Sequence, residues 1–291
     1  MSWCKVKLSC SRNDVSIIEE ILVANEAISI SLCDEINNNP IYEPKVGDTP
    51  LWQIVKLIAL FEEIISREVI THLLEGIPYS NLIIGKLENQ NWIEKYQENF
   101  KPIRFGEKLW VVPSWSQELS IPEMIQLKMD PGMAFGSGSH ETTQLCLEYL
   151  ESHNIQGSTV IDYGCGSGIL AIAAKLLGAR KVFAFDNDPQ ALISTKQNAE
   201  QNNVGEYINI ININNSINTK VDILIANIFL NTLIELRSTF LNSINNKGKI
   251  VLSGIQESQL AQIINYYSEY TNVLSIKKSN NWCIIELEKN L

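Results

Sequence analysis

Apolar positions recur along the chain with two periods, and the change from one to the other divides it. Trp3–Cys10 alternates apolar and polar residues and predicts a strand. Asp14 stands where it can cap a helix over Val15–Ala24, with Ile17, Ile18, Ile21 and Leu22 on one face. Ala27–Cys33 returns to a period of two, and Cys33–Leu51, with three prolines and an Asn run, reads as a loop. Ile54–Phe61 predicts a strand, although its run also suits a helix. Glu63–Leu74 predicts a helix and Leu82–Leu87 a strand. The order β-α-β-β-α-β is that of a small ferredoxin-like α+β domain, expected over 1–90.

Residues 91–123 read as a linker and lead-in. Trp92–Phe100 has the pattern of a short connecting helix, and Lys101–Trp115 has turn and strand signals. No Gly/Ser-rich tether separates the halves, so they are expected to pack together. From 124 to 291 strand and helix alternate. Helices are predicted at Glu141–Ser152, Gly168–Leu177, Pro189–Asn202, Leu230–Ile244 and Glu257–Tyr267. Strands are predicted at Thr159–Tyr163, Lys181–Phe185, Ile208–Ile213, Asp222–Ala226 and Lys249–Ser253. That pattern predicts a parallel sheet covered on both faces. Val273–Lys277 and Trp282–Leu287 have no helix between them and predict an antiparallel hairpin at the sheet edge.

Composition narrows the function. With 291 residues, 45% hydrophobic and 19% charged, the chain can bury a sizeable core and is too apolar for disorder throughout. Its apolar runs are far shorter than the ~20 residues of a membrane helix. The start, Met1-Ser2-Trp3-Cys4-Lys5, lacks the apolar core of a signal peptide, so the cytoplasm is the expected location. A net charge of −10 argues against tracking nucleic acid and favours a basic partner. The first 95 residues hold 8 basic and 14 acidic side chains, so the front is the more acidic per residue. Six scattered cysteines without C-x-x-C spacing, and three histidines, give no support to a metal site.

The candidate chemistry lies at Val160-Ile161-Asp162-Tyr163-Gly164-Cys165-Gly166-Ser167-Gly168, between the first buried strand and the next helix. Glycines at alternate positions allow a sharp turn and a close backbone approach to a ligand. The loop stands at a strand's carboxyl end, where open α/β sheets bind ligands. The following strand ends in Asp186, whose carboxylate can accept both hydroxyls of a ribose. A dinucleotide fingerprint requires G-x-G-x-x-G/A, and Ile169 occupies its last position. The run is instead D-x-G-x-G-x-G, which resembles the first motif of class I S-adenosylmethionine-dependent methyltransferases. A glycine turn that binds nothing is the alternative. Asn227 ends another strand, where amine methyltransferases place a polar residue beside the acceptor nitrogen; otherwise its amide simply caps the strand end.

DPGMAFGSGSHETT (residues 130–143) and VIDYGCGSGILAIAA together resemble one family closely: the bacterial methyltransferases of the eleventh large-subunit ribosomal protein, L-eleven. FKPIRFGEKLWVVPSW, DNDPQALISTKQNAE, the SGI triplet and PIYEPKVGDTPLW are similar to the same family, so the resemblance spans nearly the whole chain. It implies a Rossmann-like class I sheet with the C-terminal hairpin, preceded by a substrate-recognition domain. The implied activity is methyl transfer from S-adenosylmethionine to lysine and α-amino nitrogens of L-eleven. The implied cofactor contacts are Thr143, Gly164, Asp186 and Asn227, with Asp162 and Gly166 in the same motif and Asn227 also the catalytic residue. A monomer without metal, membrane or nucleic-acid partner is expected. Ser137 and Ser139 stand where the family has threonine, Glu141 where proline is common, and Phe229-Leu230-Asn231 where smaller residues are usual.

Several side chains tempt a stronger role. His140 precedes a helix and is read as fixing its loop or the cofactor rather than as a general base. Cys165 has no histidine neighbour in sequence and is read as packing. His72 and His153 fall on helices with core or surface roles. Trp92, Trp110 and Trp115 suit either domain packing or a substrate groove. Two other functions compete: methylation of a different basic protein, and hydride transfer by a nicotinamide enzyme, which the missing fingerprint residue disfavours.

Overall fold

The computed structural model describes residues 3–35, 49–87, 101–116, 123–130, 136, 138–211 and 220–291. The chain forms two compact units, Met1–Tyr96 and Gln97–Leu291. The helix expected at 92–100, with Trp92, lies outside the described residues, as do 131–135 and Ser137 of the DPG segment.

In the first unit β1 (Trp3–Ser11), α1 (Val15–Ala24), β2 (Ser29–Asp34), β3 (Ile54–Phe61), α2 (Arg67–Leu73) and β4 (Ser80–Leu87) follow one another. The strands lie in the order β2-β3-β1-β4, each antiparallel to its neighbours. Period-two alternation sends Cys4, Val6, Leu8 and Cys10 of β1, and Val55, Leu57, Ala59 and Phe61 of β3, into one core. Ile18 and Leu22 of α1 and Ile70 of α2 fill the same core. Ile54–Phe61 is therefore a strand, settled by its pairing with β1. The helix expected from Glu63 begins only at Arg67, because the Ser66 side chain caps it by accepting from the Val69 N–H.

The second unit holds two sheets. The smaller comprises β5 (Ile103–Phe105), β6 (Leu109–Val112) and β7 (Ile125–Lys128), with β5–β6 antiparallel and β6–β7 parallel. Part of the stretch expected as linker and lead-in thus carries strands. The larger sheet takes β8 (Thr159–Tyr163), β9 (Lys181–Phe185), β10 (Ile208–Ile211), β11 (Val221–Asn227), β12 (Ile244–Gln256), β13 (Thr271–Ser279) and β14 (Trp282–Lys289). Its helices are α3 (Glu141–Ser152), α4 (Ile169–Leu176), α5 (Pro189–Gln201), α6 (Leu230–Glu235), α7 (Arg237–Ser243) and α8 (Leu260–Tyr267). The strand order is β10-β9-β8-β11-β12-β14-β13. The first five strands are parallel, and β14 is antiparallel to both β12 and β13.

The terminal hairpin turns on Asn280 and Asn281, with φ of 45° and 68°. Two successive left-handed residues make a tight turn matched to strand twist, and asparagine tolerates that region. Every residue of β8 is buried, and apolar cores lie on both faces of the sheet. The single helix expected over Leu230–Ile244 is two short helices. Leu236 flattens between them at φ −82°, ψ −1°, and Ile244 is already extended. No helix among the described residues is long and apolar enough to cross a membrane.

Asn202, just after α5, joins the two sheets' layers. Its Oδ1 accepts from the Lys128 N–H at 2.7 Å and its Nδ2 donates to the Lys128 carbonyl at 2.7 Å. Asn202→Ala strips both backbone groups of their partner. A loss of about 1–3 kcal/mol is expected, read from the urea midpoint.

Candidate active site

Parallel strands β8 and β11 are neighbours whose following helices leave on opposite faces, which opens a crevice at their carboxyl ends. The glycine loop occupies that end of β8. Gly164, Gly166 and Gly168 have φ of 80°, 53° and 80°, conformations that side chains disfavour. A Cβ on Gly168 would stand 2.7 Å from the Thr195 methyl. Helix α5 braces the loop: Thr195 donates to the Gly166 carbonyl at 3.0 Å, and Asn198 Nδ2 donates to that of Ser167 at 2.8 Å. Ser167 Oγ donates to the Gly136 carbonyl at 2.6 Å, tying the end of the DPG segment to the loop.

Two carboxylates face the loop. Asp186, past β9, accepts from the Gly166 N–H at 2.9 Å and the Asp188 N–H at 3.0 Å. Asp162, in β8, is 1% exposed. One of its oxygens accepts from the Ala171 N–H at 3.0 Å; the other is buried with no hydrogen-bond partner among the described residues. Burial, with repulsion from Asp186 adding to it, outweighs the Ala171 bond and pushes the Asp162 carboxyl up to about 7.

Asn227 closes β11, and its Nδ2 donates to Thr143 Oγ1 at 3.3 Å. That bond leaves the amide oxygen of Asn227 as the acceptor turned away from Thr143. The next residue, Ile228, is wedged between two glycines. A Cβ on Gly164 would collide with the Ile228 Cγ2, and one on Gly254 would stand 2.9 Å from the Ile228 carbonyl carbon. The glycine of the SGI triplet and that of the loop therefore serve one purpose, to let the β11 end pass.

Thr143 lies in the first turn of α3, capped by His140. The His140 Nδ1 accepts from the Thr142 N–H at 3.3 Å and lies 2.8 Å from Thr142 Oγ1. Its ring meets Trp282 edge-on at 5.1 Å. The site thus brings Asn227 to Thr143, and Asp186 to the loop that carries Gly164 and Gly166.

The sequence model of the family described as Ribosomal protein L11 methyltransferase (PrmA) matches residues 2–290. The chain belongs to the ribosomal protein L11 methyltransferase family. Relatives bearing the name Ribosomal protein L11 methyltransferase include one from Shewanella sp. (strain ANA-3), 36% identical over 287 residues and covering 97% of both chains. Another, from Aliivibrio salmonicida (strain LFI1238), is 38% identical over 291 residues and covers 98% of both. A crystal structure of a ribosomal protein L11 methylase from Lactobacillus delbrueckii subsp. bulgaricus is 29% identical, with a TM-score of 0.61; the match spans 66% of this chain and all of that one. The seven-stranded sheet is accordingly a class I methyltransferase sheet, and the nicotinamide reading is set aside.

Within this family member the remaining tempting side chains have structural partners. Cys165 is buried, its Sγ 3.3 Å from Thr195 Oγ1, and burial drives its thiol far above the usual range. His153 stacks on Tyr149 at 4.0 Å, with Nε2 3.8 Å from the buried Glu286. His72 is exposed beside Glu75. Trp110 lies in β6, and Trp115 is half-buried beyond it. No three metal-ligating side chains converge among the described residues. A surface groove of about 360 Å³ runs along α3 and β13, lined by Glu141, Glu148, Lys277 and Lys278, and contains none of the residues above. Sequence reasoning missed Ser167, Thr195 and Asn198 as loop supports. Thr195 and Asn198 are three apart on one face of α5, and that spacing was the available signal.

Proposed function

We propose that this chain transfers methyl groups from S-adenosylmethionine to lysine and α-amino nitrogens of ribosomal protein L11. Membership of the family carries the reading, and the buried, unpartnered oxygen of Asp162 beneath a left-handed glycine loop supports it. A cationic ligand suits a carboxylate that burial leaves short of partners. Gly164 and Gly166 would admit the ligand's backbone-close portion, Asp186 would take ribose hydroxyls, and Thr143 and Asn227 would border the reacting end. The first unit, whose element order we read as ferredoxin-like, is assigned to substrate recognition. Its excess of acidic side chains favours a basic protein.

When bound, S-adenosylmethionine supplies a methyl already activated on a sulfonium, so the chain's residues need only present and align a neutral amine. The acceptor must lose its proton first: an α-amine titrates near ~8 and a lysine near ~10.4 in water. Water exclusion lowers both values. The Asn227 amide oxygen then accepts an N–H of the neutral amine without adding charge. His140 is spent on the α3 cap through Nδ1, which leaves it a positioning role.

Incubation with labelled S-adenosylmethionine and purified L11 is expected to label L11 on lysine and α-amino nitrogens. Label on another basic ribosomal protein instead would move the substrate. Asp186→Ala should weaken S-adenosylhomocysteine binding about tenfold or more by calorimetry, since charged hydrogen bonds are lost. An unchanged dissociation constant would remove Asp186 from the site.

A further inference from the structure

Phe229 breaks a local rule without structural return. It occupies the N-cap of α6 in an extended conformation, and its side chain makes no capping bond. Ser, Thr, Asp or Asn is favoured there because each can satisfy an orphan N–H, which phenylalanine cannot. Nor does the core claim it, since Leu230 and Leu233 of the same segment are buried while Phe229 is 51% exposed. Four aromatic side chains of the second unit stand exposed among the described residues: Tyr207, Phe229, Tyr266 and Tyr270. Three of them are covered by a cation. Lys175 Nζ sits 4.6 Å from the Tyr207 ring centre, and Arg237 sits 4.6 Å from Tyr266 and 5.1 Å from Tyr270. Among the described residues no cation or ring packs on Phe229.

Its position gives this open ring a use. Ile228 is held between Gly164 and Gly254, which fixes the chain on both sides of it. Asn227 precedes it at the β11 end and Phe229 follows it, at the carboxyl edge of the sheet where the acceptor must enter. Breaks in local sequence rules are expected at functional or strained sites. We propose that Phe229 is a specificity-determining residue, its exposed face receiving the four-carbon stem and ammonium of an acceptor lysine. An arriving lysine, still protonated, lays its stem along the aromatic surface while its cation meets the ring's negative face, and it gives up its proton to water before the neutral nitrogen reaches Asn227. An α-amine has no such stem, so the ring selects lysine over the chain terminus. This rests on the methyltransferase reading above and deepens it.

The test compares wild type with Phe229→Ala and Phe229→Trp, using L11 and site-resolved mass spectrometry. For Phe229→Ala the KM for lysine methylation is expected to rise about two- to thirtyfold, the span a cation–π contact covers. The kcat and the affinity for S-adenosylhomocysteine should stay within about twofold, and α-amine methylation should change least. Phe229→Trp should restore lysine methylation. Unchanged lysine methylation, a fall in kcat at constant KM, equal loss at both kinds of nitrogen, or wild-type modification confined to the α-amine each overturns the proposal. A wild-type protein that binds S-adenosylhomocysteine but leaves L11 unmodified overturns the substrate reading, and the inference with it. The calorimetric arm reports whether Phe229→Ala has merely lost its fold.

Discussion

Asn227→Ala is expected to slow methyl transfer to L11 by about a hundredfold in single-turnover measurements, as loss of acceptor alignment does. Truncation removes the amide oxygen that would hold the amine N–H, and it frees Thr143 Oγ1 from its 3.3 Å bond. Affinity for S-adenosylhomocysteine should fall less than tenfold, because Gly164, Gly166 and Asp186 remain. Asn227→Asp gives a second readout. A carboxylate there favours the protonated amine, so the rising limb of the rate profile should move to higher pH. Should kcat stay unchanged in Asn227→Ala while the dissociation constant rises, Asn227 would be a cofactor contact alone. Thr143→Ser keeps the hydroxyl and should retain most of the activity.

The chain's alternating patterns made the strands legible wherever one face or both faces are buried. Trp3–Ser11 alternates because one face packs on helices, Ile54–Phe61 alternates in burial although nearly all its residues are apolar, and Thr159–Tyr163 is buried throughout, Asp162 included, because helices cover both faces. Short strands without a rhythm were not legible as strands. Ile125–Lys128 spans only four residues, too few to show a period, and its place is set by pairing with β6 and by the Asn202 amide. The break at Leu236 was equally hidden. Both halves of Leu230–Ser243 have helical sequence, and the flattening is a matter of backbone angles that no residue type there announces.

The site was legible to the extent that its chemistry sits on glycines and strand ends. The glycine loop and Asp186 could be read because spacing along two adjacent strands fixes both. The pairing of Asn227 with Thr143 joins residues 84 positions apart, and only the sheet order brings them together. The role of Gly254 was visible merely as a motif. Its reason is the Ile228 backbone, which a Cβ would meet. The unpartnered Asp162 oxygen could not be read at all, since every neighbour that fails to bond it comes from the fold.

That oxygen leads to the largest expected effect. Burial, with repulsion from Asp186, pushes the Asp162 carboxyl up to about 7 from an ordinary value of 3.8. A folded-state value above the unfolded one gives stability that is complete below about pH 4 and is lost as pH rises through 7. The difference amounts to roughly 4 kcal/mol at one pKa unit per 1.4 kcal/mol. Asp186 is the charged group facing it; Cys146 and Cys165 are held neutral by burial and only accept its influence. Glu286 works in the other direction. Burial raises its carboxyl, but bonds from Lys249, Tyr149 and Ser275 together hold it below 4.5, so its contribution is lost toward acid. The two effects therefore fall in different pH windows. Asp162→Asn should abolish the decline between about pH 4 and 7 in denaturant midpoints while leaving the acid limb intact. A cationic cofactor favours the ionised carboxylate, so wild-type affinity for S-adenosylmethionine should tighten from pH 6 to 8 and that of Asp162→Asn should not. Parallel stability curves for the two proteins across that range would show that Asp162 is ionised in the ligand-free fold, and its proposed tie to the cofactor's charge would go with them.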